Sequence, residues 1–181
     1  MKKDFDTDAI EKKAWDLLRR NNIMQPLVDV YKIAESLGIS IRFEELDDDV
    51  SGLLLIENDQ ATIAINETQH LNRQRFTIAH EIGHFVLHKK SDNSLFVDKK
   101  FEVYRRDEKS SGGDDKQERE ANRFAAALLM PMETLKKEIE RHQLDLIDDS
   151  DAYILAKRFG VSTQALGFRI ARLGFDVGRD F

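Results

Sequence analysis

The sequence predicts an α+β fold: a small, mainly antiparallel sheet packed on two long helices, with a shorter helical pair at the C-terminal end. Three observations carry this. Apolar residues recur at helical spacing through residues 8–37, then alternate over 39–65, then return to helical spacing from Phe76 onward. The segments 76–88 and 114–130 are long enough to be helices and carry chemically suggestive polar residues on an otherwise apolar background. Two shorter helical segments around Gly160-Val161 form the final pair.

In chain order, Ile10, Ala14, Trp15, Leu17 and Leu18 mark a first helix after Asp6 and Thr7 as caps. A second helix is expected from Pro26, a favoured first-turn residue, to Gly38, a favoured stop. Ile39–Phe43 and Ala61–Ile65 alternate like strands, and Val50–Ile56 is a more continuous apolar run. Glu57-Asn58-Asp59-Gln60 between the last two reads as a hairpin turn. Residues 89–117 are rich in charged and small residues and are expected to form a flap-like mobile loop, with a strand near Phe101–Tyr104. Pro131 separates the 114–130 helix from a polar one at 132–142, and an acidic linker, Asp145–Asp151, leads to the last pair. The expected division is a main domain over 1–143 and a helix-turn-helix-like subdomain over 144–181 packed on it.

Composition narrows the chemistry. The 181 residues contain no cysteine, which excludes disulfides, thiolate metal sites and a cysteine nucleophile. A net charge of −6 argues against broad nucleic-acid binding as the main activity. The start, MKKDFDTD, lacks the apolar core of a signal peptide, and no apolar run has the length of a membrane span. A soluble cytoplasmic protein without membrane attachment is expected.

The chemistry concentrates in FTIAHEIGHFVLH. On a helix, His80 and His84 lie on one face, and two imidazoles at that spacing can bind one Zn²⁺. Glu81 between them is placed to act as general base on the metal's water. Ile78, Ala79, Ile82, Phe85 and Val86 fall on the opposite side, so the ligand side is expected to face a cleft. Gly83 is a poor helix former, which suggests a close backbone approach at that point.

Two histidines leave a catalytic zinc short of a third protein ligand. His88 shares the face, but eight residues of helix rise about 12 Å, too far for both end rings to reach one ion. His88 is therefore read as a surface residue or one that supports the ligands. In EREANRFAAALLMP, Glu118 and Asn122 project at the edge of the stripe formed by Ala121, Phe124, Ala125, Leu128 and Leu129. Glu120 points nearly opposite, toward solvent. Helical geometry thus selects Glu118 as the third ligand and puts Asn122 where its amide oxygen can accept the spare N–H of a ligand histidine.

The pairing of RFTIAHEIGHFVLH with EREANRFAAALLMP resembles the ImmA/IrrE family of zinc metallopeptidases. The similarity extends to DVSGLLLIENDQATIAIN and LAKRFGVSTQALGFRIARLG, and so covers most of residues 25–174. The resemblance implies His80, His84 and Glu118 as zinc ligands and Glu81 as catalytic base. It also implies a protein substrate, a DNA-binding repressor, cleaved in a mobile-element or stress-response switch. An extended substrate is expected to add to an edge strand, taken as Ala61–Ile65. Tyr104, His142 and Tyr153 are unranked candidates for stabilising the oxyanion.

The alternative is a helix-turn-helix regulator in which zinc is structural or sensory. Lys157, Arg158, Arg169 and Arg172 make the final pair basic, and Thr163 and Gln164 stand where a recognition helix would meet bases. Packing or partner recognition is the favoured role for that pair over direct DNA binding. The two readings differ in whether the metal keeps an open coordination position.

Overall fold

The computed structural model describes residues 5–89, 94–99, 113–146 and 148–175. It is α+β, with a four-stranded sheet and seven helices among those residues. Two helices come first, α1 (Phe5–Arg20) and α2 (Val30–Ser36). The strands β1 (Ile39–Glu44), β2 (Val50–Glu57) and β3 (Gln60–Asn66) follow, then α3 (Leu71–His88) and β4 (Ser94–Lys99). The chain ends with α4 (Gly113–Leu129), α5 (Met132–His142), α6 (Asp149–Phe159) and α7 (Thr163–Leu173).

α2 is shorter than its apolar pattern suggested. Asp29 caps it by accepting from the backbone N–H groups of Tyr31 and Lys32, so the helix begins beyond Pro26. Gly38 follows its end with φ of +72°, a conformation other residues adopt only with strain.

The sheet order is β1-β3-β2-β4. β2 pairs antiparallel with both β3 and β4, while β1 runs parallel to β3. Asn58 and Asp59, with φ of 50° and 65°, make the tight β2–β3 turn that closes the Glu57–Gln60 pair. Two expectations change here. The alternating segment Ala61–Ile65 is not an edge strand, because β3 is paired on both sides. A fourth strand, β4, lies inside the segment expected to be loop, where Leu95, Phe96 and Val97 alternate across the sheet. The proposed strand at Phe101–Tyr104 and the rest of the expected flap (90–93 and 100–112) lie outside the described residues.

α3 is the central element. It packs against β2, β3, β4, α2 and, most extensively, α4. Its Ile78, Ala79 and Ile82 are fully buried among Leu54, Ile56, Ile63 and Ile65 of the sheet and Phe124, Ala125 and Leu128 of α4. Gly83 has the close contact its residue type suggested. A Cβ there would stand 3.1 Å from the Ala121 carbonyl oxygen, 3.2 Å from its Cα and 3.2 Å from Phe124 Cδ1. Gly83→Ala gains roughly 1 kcal/mol of helix propensity but forces two backbones apart, an overpacking worth roughly 1–3 kcal/mol. The expected net result is a less stable protein, read as a lower denaturant midpoint. A raised midpoint would mean that α3 and α4 separate freely.

The C-terminal pair is tied into this body. Arg75, near the start of α3, donates to the carbonyl oxygens of Val28 (2.9 Å), Gly160 (3.3 Å) and Phe159 (3.5 Å). Arg169 of α7 is buried, donating to Met130 O at 3.0 Å and forming a two-pronged ion pair with Glu11 of α1. One of the four basic residues counted for that segment is therefore spent on packing. No helix among the described residues is long and apolar enough to cross a membrane.

Candidate metal centre

His70 caps α3, its ring Nδ1 accepting from Asn72 N–H, and the helix then runs unbroken through the H-E-x-x-H residues. Because α3 is enclosed on several sides, its polar residues are buried with its apolar ones. His80 and Glu81 have no exposed surface and His84 has 1%. On one side His84 is covered by the sheet. Phe96 of β4 stacks on His84, ring centroids 4.7 Å apart and planes 25° from parallel.

The small residues of α4, Ala121 above all, let it approach α3 closely enough to deliver Glu118. The Nε2 atoms of His80 and His84 are 3.0 Å apart. Glu118 Oε2 is 3.2 Å from His80 Nε2, and Glu118 Oε1 is 3.1 Å from His84 Nε2. Three donors around one tetrahedral zinc with bonds of about 2.1 Å would stand about 3.4 Å apart. The residues present therefore fit a metal of that size. They are one group of metal-capable side chains converging among the described residues.

The charge state suits coordination. Burial lowers the pKa of His84 below its ordinary value, which favours the neutral, ligating form. Burial alone would raise the Glu118 carboxyl, but the close approach of His80 and His84 outweighs it and brings it down to about 2. The cluster offers an ionised carboxylate beside a neutral imidazole.

Behind these donors, Asn122 Oδ1 lies 3.1 Å from His80 Nδ1, one turn along α4 from Glu118. His88 Nδ1 lies 3.2 Å from His84 Nδ1, and His88 Nε2 lies 2.9 Å from Glu120 Oε2. Glu120 is thus not directed to solvent as its helical position suggested. A helical projection fixes only the direction of Cβ, and a glutamate carboxylate sits three torsions further out. The partner was legible in one respect: His88 continues the four-residue spacing of His80 and His84. Of the oxyanion candidates, His142 lies beside Glu138 and Tyr153 is exposed on α6, while Tyr104 lies outside the described residues.

Comparison with known proteins agrees with the motif pairing. The family model described as the IrrE N-terminal-like domain, a peptidase family, matches residues 34–171, from within α2 to the last turn of α7. The chain is also 30% identical over 148 residues to Metallopeptidase ImmA of Bacillus subtilis (strain 168), across 81% of this chain and 77% of that protein. The matched region contains both helices that bear the metal-capable side chains, and the chain belongs to the ImmA/IrrE family of metallopeptidases.

Proposed function

We propose that this protein is a zinc-dependent endopeptidase that cleaves a DNA-binding transcriptional repressor in the cytoplasm, with His80, His84 and Glu118 as metal ligands and Glu81 as general base. The observation that carries the reading is the convergence of two imidazoles and one carboxylate on a single point beside a buried glutamate. Three protein donors among the described residues leave one coordination position open, as catalytic zinc sites do, whereas structural sites use four. When bound, zinc supplies Lewis acidity and lowers the pKa of a coordinated water.

The chain's own residues supply the rest. Glu81 takes a proton from the attacking water and returns it to the leaving amine. Asn122 holds His80 by accepting at its Nδ1, leaving Nε2 for the metal. Phe96 covers His84 and limits water on that side. β4 ends the sheet beside the site among the described residues, so it replaces β3 as the strand to which an extended substrate would add. Residues 1–143 form the metallopeptidase domain in this reading, and 144–181 a helical subdomain that supports it. The regulator alternative has weaker support, because Arg169 is buried against Glu11 rather than presented to a partner.

The experiment is co-incubation with candidate DNA-binding repressors from the same genome. Cleavage at a defined bond is expected, abolished by a chelator and restored by Zn²⁺. Cleavage indifferent to the chelator would refute a metal-dependent mechanism.

A further inference from the structure

The two histidines of the site are supported differently. His80 Nδ1 faces a side-chain amide, Asn122. His84 Nδ1 faces another imidazole, His88, which in turn faces a carboxylate, Glu120. We infer that Glu120 and His88 form a two-step chain that fixes the tautomer and ring orientation of His84, so that its Nε2 lone pair points at the metal position. The inference rests on the metal-site reading above and assigns both as positioning residues.

The directions of the hydrogen bonds follow from Glu120. An ionised carboxylate only accepts, so His88 must present N–H at Nε2, 2.9 Å away. Lys116 Nζ, 3.4 Å from Glu120 Oε1, also favours the charged carboxylate. With its proton on Nε2, neutral His88 has a lone pair on Nδ1. That lone pair can only accept, so the proton between the two rings belongs to His84 Nδ1, 3.2 Å away. The Nε2 of His84 is then bare, and it is the atom that stands 3.1 Å from Glu118 and 3.0 Å from His80 Nε2. The opposite tautomer would put a proton on the ligating atom and set a His88 lone pair against a carboxylate.

Burial makes the arrangement specific. His88 is 6% exposed and His84 1%, so water does not readily substitute for either partner. A lost supporting partner of a ligand histidine typically costs about 10–100-fold in metal affinity.

The test is Zn²⁺ affinity of the full chain, measured by competition with a chromogenic chelator. The set is wild type, His88→Leu, His88→Asn, Glu120→Ala and Glu120→Gln. His88→Leu fills the space without an acceptor and is expected to weaken Zn²⁺ binding about 10–100-fold. His88→Asn sets an amide oxygen near the former Nδ1 and is expected to recover most of that loss. Glu120→Gln retains an acceptor for the His88 N–H and should bind more tightly than Glu120→Ala. Equal affinities for His88→Leu and His88→Asn, or wild-type affinity in both, would overturn the inference. If His88→Leu does not fold, as thermal melting would reveal, the Glu120 pair reads the same chain, and equal affinities there would overturn it. A wild-type protein that binds no Zn²⁺ would instead refute the metal-site reading itself.

Discussion

Glu81→Gln is expected to bind Zn²⁺ at wild-type stoichiometry and to lose peptide cleavage by roughly 10²–10⁴-fold, the range for removal of a general base. The two effects separate because of where the side chain sits. Glu81 is adjacent in sequence to His80 and fully buried, but it does not belong to the converging donor group of His80, His84 and Glu118. Glutamine keeps the volume and most hydrogen bonding, so the variant should fold and still bind its protein substrate. What it cannot do is take a proton from water. Metal content, partner binding and cleavage should be measured on one preparation. Full cleavage with full metal would remove Glu81 from the mechanism. Loss of metal together with cleavage would make it a ligand instead.

The second large effect is at the third donor. Glu118→Ala is expected to abolish stoichiometric metal binding, and His80→Ala likewise, because two remaining donors give up most of the chelation that holds the ion. Glu120→Ala is the control two residues away. It should stay loaded at micromolar protein, since it removes support for a ligand rather than a ligand, even at a cost of about 10–100-fold in affinity. Elemental analysis of the purified variants decides the point. Retention of metal by Glu118→Ala with loss in Glu120→Ala would mean that the wrong carboxylate has been assigned, despite the 3.1 and 3.2 Å approaches of Glu118 to the two imidazoles.

Much of this was legible in the sequence where the information is local. A four-residue spacing is enough to place His80 and His84 together on a helix, and the same arithmetic puts Glu118 and Asn122 on one face of α4. Gly83 announced a close approach because nothing else excuses a glycine in mid-helix. The misreadings are non-local. Ala61–Ile65 has the alternation of a half-buried strand, yet that pattern carries no information about which strands flank it. The parallel partner, β1, arrives from beyond an intervening strand. Glu120 was assigned to solvent because a helical projection stops at Cβ and contains no neighbouring helix. His88 reaches across from α3 to meet it. β4, whose Phe96 covers His84, lies in a charged stretch whose composition reads as loop.

The grip of Arg75 and Arg169 bears on how this protein could be cut, fused or inherited. Arg75 stands five residues before His80 and holds three carbonyl groups, two of them from the turn between α6 and α7. Arg169 closes the loop by binding α1 and the end of α4. A truncation that discards the last two helices would leave the Arg75 guanidinium facing fewer acceptors, with only the Val28 carbonyl remaining of the three. Fusion partners are therefore better attached outside the helical pair than substituted for it, and descent should preserve these helices along with the peptidase body rather than shuffle them as an exchangeable cassette.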